Sequence, residues 1–134
     1  MNSYLEKFEK MRIAGRLAAE TLDMLTDNIK PGVTTEFIDK LGYEFIRDNG
    51  AYSAPLFYRG FKKSLCTSLN HVVCHGIPSD RVLNEGDALN IDVTAIINEH
   101  YGDTSRMFCV GKTPVKVNNL IDATYESMML AIRL

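Results

Sequence analysis

Apolar positions recur at helical spacing through the first part of the chain. Leu5, Phe8, Met11, Ile13, Leu17, Leu22, Met24 and Leu25 form a broad stripe, which predicts a first helix over residues 4–28 that packs into a core. Ser3 and Glu6 have the spacing of a capping box, in which each side chain satisfies a free amide donor of the other. Pro31 and Gly32 end that element. Phe37, Ile38, Leu41, Phe45 and Ile46 then share one face of a second helix over residues 35–48, stopped by Asn49 and Gly50.

The period changes after Gly50. Residues 53–55 and 58–61 read as extended loop. Residues 65–70 and 72–75 are short strand candidates about a turn at Asn70 and His71, and Ile77-Pro78 opens a polar loop closing at Glu85-Gly86-Asp87. Two alternating segments follow, 88–97 and 101–110, joined near Asn98-Glu99. A third helix is predicted from Val115, with Val117, Leu120, Ile121, Thr124, Met128 and Ala131 on one face. Its apolar end, Met128 to Leu134, leads us to expect further chain. The order helix, helix, strands, helix predicts one α+β domain portion with antiparallel strands backed by helices.

Composition changes this picture little. In 134 residues, 46% hydrophobic content supplies one core without disulfides or a structural metal. The net charge of −2 argues against direct nucleic-acid binding. The longest basic cluster, Lys62-Lys63 with Arg59 nearby, reads as a solvated loop. Three cysteines without a CxxC pair suit free thiols in a reducing cytoplasm. No signal-peptide core or membrane-length apolar run is present in the sequence, so no membrane partner is expected.

Candidate chemistry lies on the alternating segments. Leu89, Ile91, Val93 and Ala95 share one face of the first, and Asn90, Asp92 and Thr94 the other. A two-residue hairpin loop at Asn98-Glu99 would make paired residues sum to 197. Thr94 then faces Asp103, Asp92 faces Ser105, and the two aspartates become diagonal neighbours about 7–8 Å apart at the backbone. Such a pair would repel unless a cation sat between them, and hard divalent metals take carboxylate oxygens. An odd loop length would instead put them on opposite faces, and a merely solvated strand face would look the same. His75, at a strand end before Gly76, could point into a cleft and hydrogen-bond a substrate carbonyl, or simply be satisfied in a turn. Cys74 precedes it, but alternation along a strand would separate the two side chains. His71 and His100 are expected to be exposed at turns.

Four runs resemble type I (bacterial-type) methionine aminopeptidases: Asn70-His71-Val72-Val73-Cys74-His75-Gly76-Ile77-Pro78, Gly86-Asp87-Ala88-Leu89-Asn90-Ile91-Asp92-Val93-Thr94, Gly102-Asp103-Thr104-Ser105-Arg106-Met107-Phe108, and Lys10-Met11-Arg12-Ile13-Ala14-Gly15-Arg16-Leu17-Ala18-Ala19. The resemblance spans the chain but only about half of the family's domain. It implies the N-terminal half of a pita-bread (creatinase/aminopeptidase) fold. The function it implies is hydrolytic removal of the initiator methionine from nascent peptides by water activated between two divalent metals, with Co, Mn, Fe or Zn all open, and with Na or K at a monovalent site.

In that frame Asp92 and Asp103 match metal ligands. His75 matches a catalytic histidine that also positions substrate. Tyr58, Phe61 and Cys66 match walls of the methionine pocket, Asn70 and Val72 match backbone contributors to the monovalent-cation site, and Thr94 is a partner that orients a ligand carboxylate. Pro55 and Phe61 depart from the family's usual Cys and Tyr at the pocket rim. A further His and two Glu ligands belong to the half not present, so little activity is expected of this chain alone. The expected partners are peptides beginning with Met, with the ribosome as a candidate, the absent half, and a second copy through an exposed apolar face. A noncatalytic pita-bread peptide-binding module and a proline-dipeptidase relative are the alternatives.

Overall fold

The computed structural model describes residues 3–134. Helix α1 spans Ser3–Thr26 and α2 spans Thr35–Asp48. Strands β1 (Tyr52–Ser53), β2 (Cys66–Leu69), β3 (Ala88–Ile97) and β4 (His100–Cys109) follow, and α3 covers Val115–Ile132. All strand pairs are antiparallel. β3 is the central strand. β4 runs along the whole of one edge, and the short β1 and β2 share the other, opposite Ala95–Ile96 and Leu89–Asp92 respectively.

Alternation along β3 divides the sheet into two faces. Leu89, Ile91, Val93 and Ala95 are fully buried and meet Leu17, Ala18, Leu22, Leu25, Ile38 and Ile46 from the helices. α1 lies across β3 and β4, and α2 reaches β1 and β2. Arg106 projects to this side and pairs with Asp23 of α1 at 2.8 Å. The opposite face is turned away from α1 and α2 and is bordered by a short 3-10 turn at Tyr58–Gly60.

Close backbone approach fixes how α1 sits. Gly102 lies opposite Ala95, and a Cβ on it would fall 2.1 Å from the carbonyl of Ala14. Only a residue without a side chain lets β4 meet the helix there. The hairpin turn is equally constrained. Asn98 and Glu99 both hold positive φ, 51° and 63°, as a two-residue type I′ turn requires.

Several expectations need correction. Ser3 is already inside α1, and Glu6 pairs with Lys10 four residues on at 2.9 Å rather than closing a capping box. The first turns of α1 leave Leu5, Phe8, Met11 and Ile13 exposed, so its stripe is core only from Ala14 onward. Residues 72–75 are not a strand. Val72 and Val73 are exposed, His75 has a left-handed φ of 55°, and the segment meets β2 at its two ends, where the Val72 amide donates to the Leu69 carbonyl and the Thr67 amide to the Gly76 carbonyl. Strand alternation is therefore not what separates Cys74 from His75. His100 is half-buried as the first residue of β4.

α3 differs most from a packed core helix, because none of its residues is buried. Leu120, Tyr125, Met128, Leu130 and Ile132 all stand exposed. It is tied to the body near its start, where Asn118 accepts hydrogen bonds from Thr113 and Cys109.

Two outcomes follow from this packing. Gly102→Ala forces β4 off α1 and should cost about 1–3 kcal/mol or more, measured by urea unfolding; an unchanged midpoint would contradict the close approach. An 18-residue helix without tertiary burial is marginal in water. Amide exchange in the isolated chain should therefore be fast along α3 and slow in β3 and the buried part of α1, whereas equal protection would mean that α3 is covered.

Candidate metal centre and peptide cleft

The face of the sheet turned away from α1 and α2 carries the candidate chemistry. Cys66, Asp92 and Ser105 align in one row across β2, β3 and β4, and Thr94 pairs with Asp103 in the next. The even loop length therefore holds, and both aspartates lie on one face. Asp92 is half-buried and Asp103 exposed. They form the floor of a cavity of about 850 Å³, also lined by Tyr58, Arg59, Phe61, Lys62, Cys66, His75, Ile77, Thr94 and Tyr101.

Several local devices build the walls. Asp39, buried in α2, accepts the backbone amides of Ser64 (2.7 Å) and Leu65 (2.8 Å), fixing the entry to β2 and so the position of Cys66. Burial raises the Asp39 carboxyl above the ordinary aspartate value, and those two amides work against the rise. The Gly76 amide donates to the Ser68 hydroxyl at 3.1 Å, which ties the segment bearing His75 to the same strand. Asn70, with φ 52°, donates to Asp87 at 2.9 Å and accepts from the Ala88 amide at 3.0 Å, clamping the end of β2 to the start of β3.

The electrostatics separate the aspartates from the thiol. The Asp92 carboxyl is raised, first by burial and then by the charge and hydrogen bonding of Asp103, while His75 partly offsets the rise. Two acids resisting joint ionisation are what a cation between them would relieve. They are hard oxygen donors, so they fit part of a divalent-metal site. Among the described residues no group of three or more His, Cys, Asp and Glu side chains gathers to hold a metal, so the fit is partial. Burial and the nearby Asp92 push the Cys66 thiol up to about 11. It stays neutral at ordinary pH and suits an apolar wall better than a thiolate ligand.

The candidate residues thus divide in two. Tyr58, Phe61, Cys66, His75, Asp92, Thr94 and Asp103 share the large cavity. Asn70 and Val72 line a separate cavity of about 220 Å³ with Thr35, Thr67 and Arg81. Sequence reasoning missed Arg59, Lys62, Ile77 and Tyr101 as lining residues. The two cations were read as a solvated loop, and Tyr101 could have been found because it shares the face of Asp103.

Comparison with known proteins decides the family. The model of "metallopeptidase family M24" matches residues 9–134. The chain belongs to metallopeptidase family M24. Among its M24 relatives, a methionine aminopeptidase of Rickettsia prowazekii is 57% identical over 125 residues, 93% of this chain and 48% of the relative. The crystal structure of methionine aminopeptidase from Rickettsia prowazekii superposes with a TM-score of 0.91 at 56% identity, covering 92% of this chain and 50% of that one. The Thermotoga maritima methionine aminopeptidase superposes at 0.93 with 32% identity, covering 96% and 52%. The M24 chain described here therefore spans about half the length of the curated relatives it matches. Its α+β architecture is half of a pita-bread fold. No helix among the described residues is long and apolar enough to cross a membrane.

The coupling of the aspartates can be tested without metal. Asp103→Asn removes the second-largest cause of the raised Asp92 value, so Asp92 should titrate lower, yet still above the ordinary range because burial persists. A raised carboxyl makes folding lose stability as pH climbs from the ordinary aspartate value to the raised one. The variant should narrow that window. Carboxyl carbon NMR with a chelator present follows the Asp92 titration, and urea unfolding against pH follows the window; an unmoved Asp92 would mean that the two side chains do not interact.

Proposed function

We propose that this chain supplies the substrate-entry half of a methionine aminopeptidase site, for hydrolytic removal of an N-terminal methionine from peptides. The observation that carries the reading is the convergence of Asp92 and Asp103 on the floor of a cavity walled by Tyr58, Phe61, Cys66 and His75. The 57% identity to a named methionine aminopeptidase favours this branch over a proline dipeptidase.

Each residue has a part in that reading. Asp92 and Asp103 would hold divalent cations, and Thr94, the cross-strand partner of Asp103, would orient a carboxylate. When bound, such cations polarise a carbonyl and lower the pKa of water. Tyr58, Phe61 and the neutral Cys66 receive the unbranched thioether side chain, whose contacts with aromatic rings are favourable. His75 hydrogen-bonds the carbonyl of the first residue. Asn70 and Val72, which line the smaller cavity, would hold Na or K through their backbone carbonyls.

Two aspartates are too few to dehydrate and fix two small cations. The isolated chain should therefore bind Mn or Co weakly and release little methionine. The exposed face of α3 is the candidate surface for the half that longer relatives carry, or for a second copy when that half is absent. Incubation with Mn or Co and a Met-Ala-Ser peptide tests the reading. The chain alone should show negligible release. Adding the C-terminal half of the Rickettsia prowazekii enzyme as a separate polypeptide should restore turnover, and Asp92→Asn should remove it. Robust turnover by the chain alone, or complementation indifferent to Asp92, would overturn the assignment; peptide binding with no turnover in the complemented pair would favour a noncatalytic module.

A further inference from the structure

We propose that Arg59 and Lys62 form a carboxylate-recognising rim, so that the cleft prefers peptides carrying an acidic group beyond their first two residues. The inference rests on the peptide-cleft reading above and adds a specificity to it.

Both cations line the cavity whose floor is Asp92 and Asp103. Among the described residues, neither lies within ion-pair distance of a carboxylate, whereas neighbouring Lys63 is taken by Glu36. The cavity lining thus carries two carboxylates on the strands and two cations on the 59–62 segment that have no ion-pair partner among the described residues. A peptide has the matching polarity, since its free amine suits the aspartates and a carboxylate further along suits the rim. At about 850 Å³ the space is within the range of pockets that take a whole ligand rather than one side chain.

The backbone supports the rim at a cost. Arg59 holds φ 47° and ψ 33°, and Phe57 holds φ 69°. Left-handed backbone is unfavourable for residues with a Cβ, and such strain persists where surrounding structure enforces it, often at ligand-contacting segments. Here the loop closes on itself, because the Phe57 amide donates to the Phe61 carbonyl at 2.7 Å and the Phe61 amide to the Tyr58 carbonyl at 2.9 Å. The Arg59 guanidinium then lies 5.4 Å from the centre of the Tyr58 ring. Stacking restrains one side of the fork and leaves its donors available to a carboxylate.

Binding of four peptides to the metal-free chain tests the proposal, followed by NMR shift titration at low salt. They are Met-Ala-Asp-Ser-amide, Met-Ala-Asn-Ser-amide, Met-Ala-Asn-Ser with a free carboxyl end, and Gly-Ala-Asp-Ser-amide. The aspartyl peptide should bind about fivefold tighter than its asparaginyl isostere, the size of a partly screened charge contact. The advantage should shrink with added salt. It should vanish in the Arg59→Ala/Lys62→Ala double variant, with retained amide dispersion showing that the variant folds. A matching gain for the free-carboxyl peptide would support the rim and show that it also reads a chain end. Equal affinity of all three methionyl peptides, or an advantage that survives the double variant, would overturn it. Equal binding of the glycyl and methionyl aspartyl peptides would overturn the methionine pocket while the aspartyl preference still supports the rim. No binding by any peptide would overturn both.

Discussion

The β3–β4 hairpin turn is two residues long, and that length places the two aspartates on the functional face. Asn98 and Glu99 occupy the left-handed backbone that joins two right-twisted strands without splaying them. Asparagine adopts that conformation readily, and glutamate less so. With two residues in the turn, Thr94 faces Asp103 and Asp92 faces Ser105. A slip of one residue would turn every side chain of one strand to the other face. The same slip would expel Leu89, Ile91, Val93 and Ala95 from the core or disrupt their partners on β4. Hydrophobic burial therefore enforces the register that brings the two acids together, so the stability of the sheet and the geometry of the site depend on one constraint.

Much of this was legible in the chain. Period-two alternation marked β3 and β4, and a two-residue loop at Asn98-Glu99 paired Asp92 with Ser105 and Asp103 with Thr94; the choice between that loop and an odd one came from the structure. α2 was equally clear, because an apolar face lies between Thr34, whose hydroxyl accepts the Phe37 amide, and Asn49-Gly50. Residues 72–75 were not legible. Their β-branched character resembles a strand, but the left-handed φ of His75 and the tie from Gly76 to Ser68 come from tertiary contacts that local propensity does not encode. The positions of Arg59 and Lys62 were hidden for a similar reason. A loop that closes by hydrogen bonds to its own backbone has no periodicity to read.

The two faces of the sheet are unequal in a way that fits half of a larger architecture. One face is sealed by α1 and α2, down to the close passage of Gly102 against Ala14. The other presents Asp92, Asp103 and Tyr101 to a broad cavity, and α3 stands with no buried residue. Helical stability in proteins comes mostly from burying one face, so α3 is stabilised least by the body described here. The chain's span of about half its curated relatives agrees with that asymmetry.

Paramagnetic line broadening by Mn tests the central claim, the convergence of two strand aspartates on one cation-binding surface, most directly. Sub-stoichiometric Mn added to the isotope-labelled chain should broaden resonances around Asp92 and Asp103 together, along with Thr94 and His75, and Asp92→Asn should abolish the broadening at both strands. Broadening at only one aspartate, or broadening that Asp92→Asn leaves intact around Asp103, would contradict the account.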